Sequence, residues 1–313
     1  VDLKKILIIR PSSLGNVLHA LMLTQSIRDH FPDVEIDFLV RDRFAAIVER
    51  CETVDHLIPF NRKGGPLGFW KLLKEIRKKE YDAVLDVQAQ FRTGLMIAAA
   101  KSKLKIGRAD AREGSGVFCN KIIDLPKKKE PHQVDLFLQF LPALGKPAAL
   151  VSAVDFNTPP VESFEPSLSK SAPILLLPHS RGKEKEWPYF RELTHKILDK
   201  LPDESVVWDS HIPIPSEELE GRGRFFNTTG KTSIPEMISL VNHACVVVAN
   251  DTGPMHIAAA LAKPTIALFG PTKINTYGAY PLDEPRNCNI QAESGQMKDI
   301  SVEQVFEAVS ARL

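Results

Sequence analysis

Short, fully apolar runs recur along this chain, each followed by a stretch of helical spacing, and the series is played through twice. In the first half, residues 6–9, 36–40, 56–59 and 83–87 read as strands. Between them Val17, Ala20, Leu21, Thr24 and Ile27 fall on one helical face, and 44–48 and 67–79 also read as helices. Continuous β-branched runs are the mark of strands buried on both faces, and parallel neighbours need a crossover that is usually a helix. The alternation therefore restricts the chain to an α/β fold, a parallel sheet covered by helices on both sides. A further helix at 132–144 ends at Gly145, a C-cap by residue type. Residues 146–173 then lapse into Pro147, Pro159, Pro160, Pro166 and Pro173 among small residues, the composition of a linker or of long loops.

A second series follows, with strands at 174–177, 206–208, 245–248 and 265–269. Its helices carry Phe190, Leu193, Ile197 and Leu201 on one face, then occupy 234–241 and 302–309. A length of 313 residues is too great for one ordinary core. The expected architecture is two doubly wound, Rossmann-like domains facing across a cleft, with ligand sites at the carboxyl ends of strands. The boundaries fall at 1–150 for the first domain, 151–172 for a linker and 173–313 for the second domain, whose last helix is placed to pack back on the first.

Composition removes several classes. No run approaches the roughly 18 apolar residues of a membrane span, and the chain begins directly on a strand, so a cytoplasmic protein is expected. Cys51, Cys119, Cys245 and Cys288 are widely spaced without a CxxC pair, which suggests neither a zinc site nor a disulfide framework. The net charge of +1 hides an asymmetry: residues 1–150 hold 25 Lys and Arg against 18 Asp and Glu, and residues 151–313 hold 15 against 21. The excess concentrates between Lys101 and Lys129, where an anionic partner would dock on the first domain. Nucleic acid is disfavoured, because no recognised nucleic-acid module accompanies the patch.

Three loops stand at strand ends. Arg10 to Asn16 joins the opening strand to its helix, with Ser12, Ser13 and Gly15 letting a ligand approach the backbone. It lacks GxGxxG, which argues against a dinucleotide site and a hydride-transferring dehydrogenase. Pro178 to Pro188 carries Ser180, Arg181, Lys183, Lys185 and Trp187 ahead of a helix that Pro188 can start at its first position. Cations there oppose the helix dipole, so an anionic ligand would explain them. The third loop, Asp251-Thr252-Gly253-Pro254-Met255-His256, follows the apolar run 245–248 and opens an Ala-rich helix, the geometry of a phosphate cradle. The bland alternative is that Asp251 or Thr252 is only an N-cap and His256 a first-turn surface residue. Gly270-Pro271-Thr272 ends the next strand and would complete a pocket rim.

Taken together, six ordered segments resemble the bacterial lipopolysaccharide heptosyltransferases, glycosyltransferase family 9. They are Ile6 to Leu21, Tyr81 to Gln88, Lys185-Glu186-Trp187-Pro188, Gly230-Lys231-Thr232-Ser233, Asp251 to His256 and Gly270-Pro271-Thr272. The likeness spans almost the whole chain, and the Ser-Ser-Leu-Gly start with His19 is most similar to the heptosyltransferase I branch. The resemblance implies a GT-B fold and an inverting, metal-independent transfer of heptose from ADP-heptose to the Kdo-lipid A inner core, with no cofactor beyond the sugar-nucleotide co-substrate. It implies peripheral contact with the inner face of the cytoplasmic membrane. By it, Ser12, Ser13, Gly15, Ser180, Asp251, Thr252, Gly253 and His256 would bind the donor, and Lys185 would neutralise the departing ADP. A positioned ammonium and helix N–H groups would favour the transition state, where the diphosphate gains charge, over the ground state. Arg62, Lys63, Arg108 and Arg112 would meet the phosphates and carboxylates of the acceptor.

One position departs from the family pattern: Asn16 stands where an Asp, the general base, follows Leu14-Gly15. A carboxamide can orient a hydroxyl but has no useful basicity. Another group serves as base, or the chain carries an Asp-to-Asn change, or the protein is a weak or silent sugar-nucleotide-binding member. His19, one turn along, is a substitute whose imidazole is basic near neutral pH, or else a satisfied surface residue. A GT-B enzyme with a different sugar or acceptor is the remaining alternative.

Overall fold

The structure, a computed structural model, describes residues 3–168 and 171–313. It forms two compact units, Val1–Asn157 and Thr158–Leu313. The first contains β1 (Lys5–Ile9), α1 (Leu14–His30), β2 (Glu35–Arg41), α2 (Ala45–Val48), β3 (His56–Phe60), α3 (Gly65–Ile76), β4 (Glu80–Asp86), α4 (Phe91–Ala99), β5 (Lys101–Arg108), β6 (Lys121–Ile123), α5 (Gln133–Leu138) and α6 (Phe140–Ala143). Its strands are parallel throughout, in the order β3-β2-β1-β4-β5-β6.

The second unit contains β7 (Ile174–Leu177), α7 (Phe190–Lys200), β8 (Val206–Trp208), β9 (Phe225–Asn227), α8 (Ile234–His243), β10 (Val246–Asn250), α9 (Gly253–Ala260), β11 (Thr265–Phe269), α10 (Ile274–Tyr277), β12 (Asn287–Gln291) and α11 (Val302–Ser310). Its sheet, also parallel, runs β9-β8-β7-β10-β11-β12, the same path as the first. Each sheet therefore reverses its winding once, beside β1 and β4 in the first unit and beside β7 and β10 in the second. At such a reversal the loops leaving the two central strands diverge and open a crevice. The central strands are buried on both faces: Ile6 to Ile9 and Val246 to Val248 are wholly inaccessible.

The structure corrects two helix expectations and fills in the segment between the units. The unit boundary falls inside the expected linker, and much of that segment is packed: Cys51 bridges Phe156 in antiparallel fashion, and Ser152 Oγ donates to Asp29 at 2.7 Å. Ser169 and Lys170 of that linker lie outside the described residues. The last helix, α11, sends Val305 and Val309 into the core of its own unit, against α7 and β11. The helix expected at 132–144 is broken at Gln139 into α5 and α6, because Pro142 has no N–H for the carbonyl of Leu138. Finally, α7 starts at Phe190 rather than at Pro188. The basic stretch at 101–129 contains two strands; in β5 the exposed Lys101 and Lys103 precede the buried Ile106 to Arg108.

Candidate active site

At the winding reversal of the second unit, the loop after β7 meets the loop after β10. Asn250, wholly buried at the end of β10, joins them: its Nδ2 donates to Pro178 O at 3.0 Å, and its Oδ1 accepts from the Trp187 N–H at 3.0 Å. The loop between those points folds on itself, with Glu186 Oε1 accepting from Ser180 N at 2.9 Å and facing His179 Nδ1 at 2.8 Å. This framework delivers Lys185 to Asp251. Lys185 Nζ lies 2.7 Å from Asp251 Oδ2, the same oxygen accepts from Thr272 Oγ1 at 2.8 Å, and Oδ1 faces His256 Nε2 at 3.9 Å. Burial pushes the His256 imidazole down to about 4, against the opposing pull of Asp251, so it is neutral at physiological pH.

The helix that opens here is α9. Its N-cap residue, Thr252, makes no side-chain capping bond, and Pro254 removes one first-turn donor. The Thr252 Oγ1 atom is buried without a hydrogen-bond partner among the described residues. An uncapped helix start, a buried unsatisfied hydroxyl and an ammonium shared with Asp251 form, within one loop crossing, a donor-rich corner suited to an anion.

Beside this corner, between the carboxyl ends of β7 and β8, lies a cleft of about 460 Å³ lined by His179, Glu186, Arg191, Trp208, Ile212 and Ile214. Trp208 is held from the helix side by its Nε1 donating to Thr194 Oγ1 at 2.8 Å. The next residue, Asp209, is buried and accepts from Thr228 Oγ1 at 3.0 Å and Thr232 Oγ1 at 2.7 Å; burial raises its carboxyl above the ordinary range. The Gly230-Lys231-Thr232-Ser233 motif thus has structural duties. Gly230 takes a positive φ of 72° against Pro213, and Ser233 forms a capping box with Glu236 at the start of α8.

In the first unit the corresponding reversal holds the loop after β1. Ser12 N donates to Gln88 Oε1 at 3.4 Å, and Asn16 Nδ2 donates to Ser13 Oγ at 3.2 Å. The Asn16 Oδ1 atom is buried without a hydrogen-bond partner among the described residues. Arg10 and Arg108 both donate to Val87 O, at 2.7 and 3.2 Å, and both stack on Phe137.

The structure brings Lys185, Asp251 and His256 together and sets Ser180, Thr252 and Gly253 in the same two loops. Ser12, Ser13, Gly15 and Asn16 share the β1–α1 turn. His19 is no surface residue: it is 2% exposed, its ring 5.2 Å from His132 and 6.5 Å from Phe137 between α1 and α5. Arg108 is buried and forked onto Asp110, whereas Arg62, Lys63 and Arg112 are exposed. Neither Asp251 nor His256 behaves as the bland alternative had it: Asp251 serves Lys185 rather than the helix, and His256 is buried. The expected rim residue Thr272 does reach Asp251, whereas the roles of Asn250, Glu186 and Asp209 are not legible in the sequence. For Asn250 the signal was an amide closing an otherwise apolar strand.

A family model described as glycosyltransferase family 9 (heptosyltransferase) matches residues 69–309. The lipopolysaccharide core heptosyltransferase OpsX of Haemophilus influenzae is 28% identical over 281 residues, covering 85% of this chain and 79% of the relative. Lipopolysaccharide heptosyltransferase 1 of Escherichia coli K12 is 26% identical over 294 residues, covering 88% and 91%. Among solved structures, E. coli heptosyltransferase WaaC with ADP matches at a TM-score of 0.79 and 23% identity, over 99% of this chain and 100% of that one. The fold is therefore GT-B.

Proposed function

The chain belongs to glycosyltransferase family 9, the heptosyltransferases, and from that membership we propose that it transfers heptose from ADP-heptose to the Kdo sugar of a lipid A acceptor at the inner face of the membrane. The observation that carries the proposal is the corner where Lys185 meets Asp251 beside the uncapped start of α9. In this reading the diphosphate lies over the helix start, within reach of Thr252 and Gly253, and competes with Asp251 for the Lys185 ammonium. The adenine enters the cleft beside Trp208. A structural relative supports the donor class: E. coli heptosyltransferase WaaC was solved with ADP-2-deoxy-2-fluoro heptose.

The acceptor oxygen attacks the anomeric carbon on the face opposite the diphosphate, the new C–O bond forming as the bond to the leaving phosphate oxygen breaks, which inverts the configuration. Charge grows on the departing diphosphate, and Lys185 with the α9 N–H groups stabilises it more in the transition state than before. No metal enters this account. The acceptor hydroxyl also loses its proton, which passes to solvent water in the absence of a side-chain base. Asn16 Oδ1, an acceptor with its hydrogen-bonding capacity open, orients that hydroxyl but cannot take the proton. The buried imidazole of His19 is packed against His132 and Phe137, which argues against it as the base.

The test is product formation from ADP-heptose and Kdo-lipid A, followed by mass spectrometry, for this protein and its Asn16→Asp variant side by side. The variant is expected to be faster by about 10² or more, the usual worth of a general base. Equal rates would place the base elsewhere. No product from either would sink the donor or acceptor assignment, and competition by UDP-sugars would then identify a different donor.

A further inference from the structure

Helix α3 has two stripes of the same spacing. Phe69, Leu72, Leu73 and Ile76 face inward and join the core shared with Met96 and Ile97 of α4. On the other side Leu67, Trp70, Lys71 and Lys74, also at i, i+3, i+4 and i+7, are all exposed, Leu67 by 77% and Trp70 by 60%. A soluble helix normally presents charge throughout its outer face, whereas this one opens that face with a leucine and a tryptophan.

Helix α4 packs beside α3 and, with the turn that follows it, carries further exposed apolar groups. Phe91 at its start is 47% exposed, and its ring lies 6.0 Å from Phe118. The turn Ser115–Phe118 sits flush on α4, since a side chain at Gly94 would collide with Phe118, and it projects Val117 into solvent with 80% exposure. Cations frame this surface. Residues 61–79 carry Arg62, Lys63, Lys71, Lys74, Arg77, Lys78 and Lys79 against Glu75 alone. Lys78 pairs with Glu75 and Lys79 with Asp37, while Arg62, Lys63, Lys71 and Lys74 have no acidic partner among the described residues.

We propose that the outer face of α3 and α4, with Leu67, Trp70, Phe91 and Val117 as apolar anchors and Lys71 and Lys74 beside them, docks this protein on an anionic lipid bilayer. The charge selects a surface of opposite sign, and the exposed indole and aliphatic groups select one with hydrocarbon beneath its headgroups. A bilayer satisfies both at once, and no helix of the described residues is long and apolar enough to cross it, so the protein would lie on the surface. The proposal takes its purpose from the glycolipid reading, but docking itself is measured without any acceptor.

The experiment uses the full chain with phosphatidylethanolamine/phosphatidylglycerol vesicles and, for comparison, pure phosphatidylcholine vesicles. Of the three tryptophans, Trp187 and Trp208 are buried, so a bromolipid that quenches fluorescence reports chiefly on Trp70. The protein is expected to float with the anionic vesicles, with Trp70 quenched by bromolipid and shielded from acrylamide. The Leu67→Ser/Trp70→Ser variant should partition at least roughly tenfold less, from the lost apolar burial. Lys71→Gln/Lys74→Gln should lose roughly fivefold per charge at low salt and nothing at high salt. Equal partitioning onto both vesicle types, unchanged partitioning of the serine variant, or shielding of Trp70 by protein concentration alone would overturn the proposal, the last by making a second copy the occupant. Loss of docking with transfer intact on a delipidated acceptor refutes the surface and spares the transferase reading. Docking without transfer does the reverse.

Discussion

The Lys185 ammonium is the residue on which the donor corner turns. It is 30% exposed yet held 2.7 Å from a carboxylate that is 9% exposed, so it is fixed in place before any ligand arrives. Such preorganisation lets a charge act on a transition state without the cost of bringing it there. Lys185→Gln is expected to lower kcat by roughly 10²- to 10³-fold, the usual effect of removing one transition-state donor, with a smaller rise in KM. Steady-state kinetics on the purified variant would check this, and an effect confined to KM would count against the role. His256 supplies a pH dependence of stability whose sign follows from its burial. Its folded value of about 4 lies below the unfolded 6.5, so between these pH values the unfolded chain binds more protons than the folded one. Stability from this group is fully present above about 6.5 and falls as the pH drops toward 4, by at most about 1.4 kcal/mol per pH unit. Urea titrations at pH 7 and pH 5 should show the loss, and His256→Gln should flatten it.

At the scale of elements, the site is the work of a strand end and two loops. Asn250 is the joint: it closes β10 and satisfies one backbone donor and one backbone acceptor across the reversal. Replacing it by leucine keeps the volume but strands the Trp187 N–H and the Pro178 carbonyl. An unsatisfied buried backbone group costs about 1–3 kcal/mol, so Asn250→Leu should destabilise the second unit by about 2–4 kcal/mol. It should also raise the KM for the sugar nucleotide, because the loop that carries Lys185 is no longer tied to β10. Denaturation curves and initial rates measured together would separate the two effects, and an unchanged KM would show that the loop holds its shape through Glu186 and Ser180 alone. The short α9 illustrates the reverse case. A capping side chain would have made that helix more stable by about 1 kcal/mol, and leaving it out keeps the first-turn donors available.

At the scale of the molecule, two sheets of identical strand order carry unlike loops. The donor-rich corner and the cleft beside Trp208 lie in the second unit, although the first holds the excess of basic residues. Hydrogen exchange with and without ADP should therefore show its strongest protection in segments 178–188, 208–214, 228–232 and 250–256; no protection of 250–256 would contradict placing the diphosphate over the start of α9. The sequence by itself determined the α/β alternation, the two-unit division and most central strands, because a strand buried on both faces must be written as an unbroken apolar run. It also singled out the loops 178–188 and 251–256, which the structure brings together at the winding reversal of the second sheet. The half-charged β5 and the short β6, β9 and β12 escaped it, since strands near a sheet's edge need no continuous apolar run. Only the tertiary structure decided that Asp251 answers Lys185 across 66 residues, that Asn250 ties their loops, and that His19 points into the packing between α1 and α5. Those facts depend on which strands become neighbours, and a local pattern fixes each strand's burial but not the identity of the loop beside it.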